Sequence, residues 1–160
     1  MTETFNPDLD LKISRIIRAP RRLVWNAWVD KNSLEQWWVP HPGQCRVEKM
    51  ELYPGGAFET RYSEDGTTFG DHISGCFLAV DDGERLVFTD ALIAGFRPSA
   101  QPFLTAVMQF RDHPEGMEYV AYAMHRSPVD RDKHAEMGFF DGWNTVAEQL
   151  AQLVEKQAAH

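Results

Sequence analysis

The sequence predicts an α+β domain in which a curved antiparallel sheet wraps around a long C-terminal helix. Between residues 44 and 125, short runs rich in β-branched and aromatic residues alternate with glycine-containing turns, which is typical of hairpin-linked strands. Residues 130–155 instead place apolar side chains at steps of three and four, which indicates an amphipathic helix. At 160 residues the chain has the length of one domain, and we expect a single domain over residues 1–160 with its core in 10–155.

Seven strands are expected, one before the first helices and six in the strand-rich region. Turn residues such as Pro54-Gly55-Gly56 and Asp81-Asp82-Gly83 separate them. Residues 91–102 are predicted to form a longer loop folded over apolar surface. The predicted strands are residues 11–18, 44–53, 57–63, 67–80, 84–90, 103–111 and 117–125.

Two short helices should follow the first strand. Residues 20–30 show helical spacing of Val24, Ala27 and Trp28, and Pro20 suits a helix start because it lacks the N–H that would be unpaired there. A second helix is predicted to begin at Ser33, which together with Gln36 fits a capping box.

The C-terminal helix is predicted to start at Asp130 or Asp132 and to continue without a break to about Glu155. Its apolar stripe must pack on the sheet, which is the only surface large enough to cover it. Gly138 and Gly142 are too small to fill the concave side of a curled sheet. The sequence therefore predicts a cavity between this helix and the sheet. The stripe consists of Phe139, Trp143, Val146, Leu150 and Leu153.

The charge balance excludes nucleic acid and membrane surfaces as expected partners. Sixteen basic against 24 acidic side chains give a formal net charge of −8, which repels phosphate groups. The sequence contains neither an apolar run long enough to span a bilayer nor a signal peptide pattern, so a cytoplasmic location is expected. Cys45 and Cys76 are too far apart for a C-x-x-C motif and are interpreted as reduced packing residues.

Several segments together resemble the SRPBCC superfamily (START, polyketide cyclase and birch-pollen-allergen-like), and within it the group named after the activator of heat-shock protein 90 ATPase. They are IIRAPRRLVWNAWVD, LEQWWVP, LYPGGAFETRY with its following DG turn, ERLVFTD and GWNTVAEQLAQLVE. The resemblance covers about residues 10–155. It implies the helix-grip, START-like fold, with a deep and largely apolar pocket between the long helix and the sheet.

This resemblance implies a protein that binds a hydrophobic, ring-containing small molecule, with no cofactor. Two alternatives stay open: a cofactor-free cyclase, dehydratase or hydrolase acting in the same pocket, or a modulator of a chaperone ATPase linked to the stress response. Homodimer formation is a further expectation. No catalytic motif is shared across the family, so no catalytic residue is transferred.

The adjacent pair Trp37 and Trp38 suggests that one indole packs in the core while the other borders the pocket, with Trp38 on the pocket side. The alternative is that both fill space between helix and sheet. Aromatic and sulfur-containing residues on the strands and on the last helix complete the predicted ligand site. The predicted ligand-binding residues are Trp38, Phe58, Tyr62, His72, Phe88, Met108, Tyr122, Phe139, Gly142 and Trp143.

The histidines are candidate site residues because imidazole is a common metal ligand and general base. His72 and His125 lie on predicted strands, and strict alternation leaves the inward face of residues 70–77 undecided between His72 with Cys76 and Ile73 with Phe77. No metal-ligand spacing is present, and no metal site is predicted. The other four histidines are expected to face solvent: His41, His113, His134 and His160.

Overall fold

The fold is α+β, as the sequence predicts. The computed structural model describes residues 5–159, so His160 lies outside the described residues. Seven strands form one antiparallel sheet in the order β1-β9-β8-β5-β4-β3-β2, and two very short strands form a separate hairpin. The strands are β1 (Asp10–Ile17), β2 (Gln44–Met50), β3 (Ala57–Ser63), β4 (Gly70–Asp81), β5 (Arg85–Thr89), β6 (Leu92–Ile93), β7 (Arg97–Pro98), β8 (Thr105–His113) and β9 (Gly116–Met124).

Four helices accompany the sheet: α1 (Arg21–Val29), α2 (Lys31–Leu34), α3 (Pro128–Glu136) and α4 (Phe139–Ala158). None of these described helices is both long and apolar enough to cross a membrane.

The prediction that Ser33 caps α2 is wrong. Asp30 is the cap, because its carboxylate accepts the backbone N–H of Ser33 at 2.9 Å. This bond satisfies one of the free N–H groups in the first turn of the helix. Ser33 therefore lies inside the helix.

The prediction of one unbroken C-terminal helix is also wrong. Gly138 adopts φ of +98°, a left-handed conformation that ends α3 and precedes α4. Such a value favours glycine, which has no Cβ to clash with the backbone. Helix α3 begins earlier than expected, at Pro128, because the hydroxyl of Ser127 accepts the N–H of Asp130 at 3.2 Å.

The concave face of the sheet carries the main core, in which aromatic rings from α1, the segment after α2 and the strands meet. Trp28 is fully buried, and its Nε1–H donates to the hydroxyl of Tyr119 at 3.1 Å. Phe58 stacks on Phe77 with ring centroids 4.9 Å apart. The convex face carries a smaller apolar cluster of Val87, Val107, Val120 and Tyr122.

The predicted loop 91–102 contains the β6–β7 hairpin with a short 3₁₀ turn at Ala94–Phe96. The N–H of Gly95 donates to the carbonyl of Gly55 at 2.8 Å, which ties the hairpin to the β2–β3 turn. Phe96 rests directly on Gly55, where a Cβ would lie 2.7 Å from its ring.

Candidate functional site

An apolar cavity of about 280 Å³ lies between the first turns of α4 and the concave face of the sheet. Its walls are mainly aromatic and aliphatic, with a few nitrogen and oxygen atoms. The α3–α4 junction and Pro40 contribute to it from the side opposite the strands. It is lined by Ile13, Trp38, Pro40, His72, Ile73, Phe88, Leu104, Met108, Tyr119, Ala121, His134, Met137, Gly138, Phe139, Gly142, Trp143 and Val146.

The two adjacent tryptophans have different environments. Trp37 is fully buried in the core, and its Nε1–H donates to the carbonyl of Ala27 at 3.0 Å. Trp38 lines the cavity and packs edge-on against Trp28, with centroids 5.0 Å apart. Its Nε1 is buried and has no hydrogen-bond partner among the described residues. One indole therefore completes the core, while the other forms part of the cavity wall.

A β-bulge brings His72 to the cavity. Thr60 of β3 pairs with Ile73, and the next residue, Arg61, pairs with Asp71, so His72 is the extra residue on β4. A bulge breaks the alternation of side chains and re-aims the extra one. Both His72 and Ile73 consequently line the cavity, although strict alternation allows only one of them to face inward.

His72 is fixed by a 2.9 Å hydrogen bond between its Nδ1 and the hydroxyl of Thr60. His72 lines the cavity, although the residue as a whole is exposed. Desolvation by the surrounding protein lowers the pKa of His72 to about 4. The imidazole is therefore uncharged at neutral pH.

A second histidine, His134, lines the cavity from α3. It is buried, and its Nδ1 lies 2.8 Å from Nε2 of His125, whose Nδ1 lies 2.8 Å from the carbonyl oxygen of Leu9. Desolvation, with a smaller contribution from His125, lowers the pKa of His134 to about 4. The prediction that His134 faces solvent is wrong.

The break at Gly138 explains how His134 reaches this position. His134 and Trp143 are nine residues apart, which along a continuous helix corresponds to a rise of about 13.5 Å. Their ring centroids are in fact 6.2 Å apart. Only a change of direction between α3 and α4 allows this contact, so an uninterrupted helix would have carried His134 away from the cavity.

Most residues predicted to bind a ligand meet at this cavity, but three do not. Phe58 lies deeper in the core, fully buried, behind the Trp38 ring. Tyr62 is half-buried beside His72, with centroids 6.2 Å apart, and is not part of the wall. The residues that line the cavity as expected are Trp38, His72, Phe88, Met108, Phe139, Gly142 and Trp143.

Tyr122 lies on the convex face of the sheet, away from the cavity, in contact with Phe5. The sequence contained a signal for this placement. Glu118 is a solvated strand residue, and alternation puts Tyr122, four residues later, on the same face as Glu118. The same reasoning assigns Tyr119 and Ala121 to the inner face, where both line the cavity.

Among the described residues, the remaining histidines and both cysteines do not line the cavity. His41 is exposed as expected, whereas His113 is partly buried in the β8–β9 turn. Cys45 and Cys76 are buried free thiols, and desolvation raises the pKa of Cys45 to about 12. Within residues 5–159, no three His, Cys, Asp or Glu side chains converge as a metal site would require.

The lowered pKa of His134 predicts a specific pH dependence of stability. Between pH 6.5 and about 4 the unfolded chain binds a proton that the folded ring does not, so the free energy of unfolding falls as pH is lowered through this window. We expect a loss of about 1–2 kcal/mol across this window, because the ring borders an open cavity and is only partly desolvated.

The variant His134→Asn lacks the titrating ring, and its Nδ2–H₂ can still donate to His125. Urea unfolding at pH 7 and pH 4.5 should show a smaller loss of stability for this variant than for the unsubstituted protein. Parallel pH profiles for the two proteins would contradict the prediction.

Comparison with known proteins places this chain in a family. The family model described as "Activator of Hsp90 ATPase homolog 1-like protein" matches residues 18–155. The chain belongs to this family. The resemblance proposed from the sequence motifs is thereby confirmed. A search of curated proteins finds no significant match to the chain.

Solved structures with a similar fold extend this comparison. A protein from Nitrosomonas europaea is 37% identical, with a TM-score of 0.88 over 98% of this chain and 100% of its own. A Mycobacterium smegmatis protein shares the fold at 24% identity and a TM-score of 0.75, covering 92% of this chain and 91% of its own. An AHSA1-like protein from Aeromonas hydrophila shares it at 19% identity and a TM-score of 0.68, covering 95% of this chain and 96% of its own.

Proposed function

We propose that this protein binds an uncharged, hydrophobic, ring-containing small molecule in the cavity between α4 and the sheet. The observation that carries the proposal is the cavity itself, about 280 Å³ in volume and walled by Trp38, Phe88, Phe139 and Trp143. Small-molecule sites are concave and mostly apolar, with a few polar groups that set orientation. A volume near the lower end of the usual range suits a molecule of one or two rings.

The lining also explains why an uncharged ligand is favoured. No Lys, Arg, Asp or Glu belongs to the described cavity wall. A charged group entering it would lose its hydration without gaining a counter-ion. Apolar contact therefore supplies most of the affinity in this proposal.

Binding is favoured over acid–base catalysis because the two histidines in the wall are weak bases. The pKa values of His72 and His134 are both lowered to about 4 by desolvation. An efficient general base needs a pKa near the working pH. These rings are better suited to orienting a ligand through hydrogen bonds than to removing a proton from it.

A second candidate function is modulation of a chaperone ATPase, which the name of the family suggests. It is favoured by the apolar side chains exposed around the β2–β3 turn and the β6–β7 hairpin: Tyr53 is 55% exposed and Phe96 50%.

For either function we propose a cytoplasmic location, which the two buried free thiols support.

The ligand proposal is tested by native mass spectrometry combined with titration. We expect the purified protein to retain a small molecule, or after gentle denaturation and refolding to bind 2-methylnaphthalene at a 1:1 ratio with quenching of tryptophan fluorescence. Trp38 and Trp143 line the cavity, so an occupant would contact both indoles. Absence of any bound mass, and of saturable quenching, would overturn the proposal.

A further inference from the structure

Three hydrogen-bonded groups, the Leu9 carbonyl, His125 and His134, determine which nitrogen of each buried histidine carries hydrogen. The carbonyl oxygen of Leu9 lies 2.8 Å from Nδ1 of His125. A carbonyl oxygen can only accept a hydrogen bond, so Nδ1 of His125 must be the protonated nitrogen. In the uncharged ring, Nε2 of His125 then carries a lone pair and can only accept.

The same reasoning extends to His134. Its Nδ1 lies 2.8 Å from Nε2 of His125, and one of these two nitrogens must donate. Because Nε2 of His125 accepts, the hydrogen is on Nδ1 of His134. The remaining nitrogen, Nε2 of His134, therefore carries a lone pair in the uncharged ring.

Nε2 of His134 has no hydrogen-bond donor among the described residues. The surrounding protein does not seal this nitrogen off, and His134 lines the cavity. The ring is held in place by Phe103, Phe139 and Trp143, with centroids 5.0, 5.1 and 6.2 Å away. A fixed hydrogen-bond acceptor therefore belongs to the mainly apolar wall of the cavity.

We propose that the ligand of this cavity carries a hydroxyl group that donates a hydrogen bond to Nε2 of His134. This inference rests on the proposed function and adds the polar group that the ligand must have. Ethers, ketones and carboxylates at this end of the ligand would face the lone pair with lone pairs of their own. They would leave Nε2 of His134 without a hydrogen bond. This costs more free energy inside the protein than in water, where a water molecule would donate to the nitrogen.

Two probes of nearly equal shape test the proposal: 2-naphthol, which has a hydroxyl, and 2-methylnaphthalene, which has a methyl group at the same position. In a purely apolar cavity 2-methylnaphthalene should bind more tightly, because a methyl group is more hydrophobic than a hydroxyl. With the proposed hydrogen bond, we expect 2-naphthol to bind at least about fivefold more tightly, as measured by isothermal titration calorimetry.

Two variants assign this preference to one residue. His134→Asn places an N–H near the position of Nδ1, which preserves the bond to His125, and removes Nε2 from the cavity. It should lose the preference for 2-naphthol. His113→Asn replaces a histidine of the β8–β9 turn that does not line the cavity, and it should keep the preference.

A measurement on the unsubstituted protein decides the matter if His134→Asn does not fold. Imidazole ¹⁵N NMR should show His134 with hydrogen on Nδ1, and its Nε2 signal should shift with 2-naphthol but not with 2-methylnaphthalene. Hydrogen on Nε2, or equal binding of the two probes, would overturn this inference and leave the proposed function standing. If neither probe binds, both fail.

Discussion

Replacing Gly142 with leucine should abolish binding of 2-naphthol and 2-methylnaphthalene while raising the free energy of unfolding. A Cβ built at Gly142 meets no atom within 4 Å, and Gly142 lines the cavity. A leucine side chain at this position extends into the space that a ligand would occupy. Glycine inside a helix is also destabilising by about 1 kcal/mol relative to good helix formers.

Gly142→Ala is the matched control. It gains most of the same helical stability but leaves most of the cavity open, so its affinity for the probes should stay close to that of the unsubstituted protein. Urea unfolding measures the stability, and calorimetric titration measures the affinity. If Gly142→Leu binds either probe as tightly as the control does, the cavity between α4 and the sheet is not the binding site.

Replacing Gly75 with alanine should be one of the most destabilising single substitutions in the protein. A Cβ on Gly75 would overlap the backbone carbonyl oxygen of Thr89, where β4 meets the end of β5. Backbone atoms in a paired sheet cannot move aside without breaking ladder hydrogen bonds. We expect a loss of about 3 kcal/mol, which for a chain of this size lowers the melting temperature by about 6–12 °C.

Gly70 provides the control on the same strand, since a Cβ at that position meets no atom within 4 Å. Gly70→Ala should change the free energy of unfolding by less than about 0.5 kcal/mol. Thermal unfolding followed by circular dichroism compares the two variants. Similar melting temperatures for both would show that the sheet relaxes around Gly75 and would contradict the steric argument.

The elements that local patterns encode were predictable from the sequence. Residues 57–63 are predicted as a strand and form β3 with the same bounds, and the helix predicted over 20–30 forms α1. Alternation and helical spacing are properties of neighbouring residues, so they can be read without knowing the tertiary fold. Family resemblance added the helix-grip arrangement, which the sheet order confirms.

Local sequence patterns did not predict the break between α3 and α4, where one glycine changes the direction of the backbone. Phe139, Trp143 and Val146 keep helical spacing after Gly138, which suggested a helix continuous with the residues before it. A glycine within a helical pattern is compatible with either continuation or a break. The positive φ of Gly138 depends on how α3 and α4 each pack, and this is a tertiary property.

The sequence by itself determined the fold class, the seven strands of the main sheet, the apolar stripe of the last helix and the presence of small residues where a cavity forms. Tertiary structure alone decided which polar atoms open into that cavity. The bulge on β4 places His72 in the cavity wall, and the contact between His125 and Leu9 spans 116 residues. The carbonyl of Leu9 determines which nitrogen of His125 carries hydrogen, and His125 in turn determines it for His134. These contacts form only in the folded chain, so no spacing along the sequence encodes them.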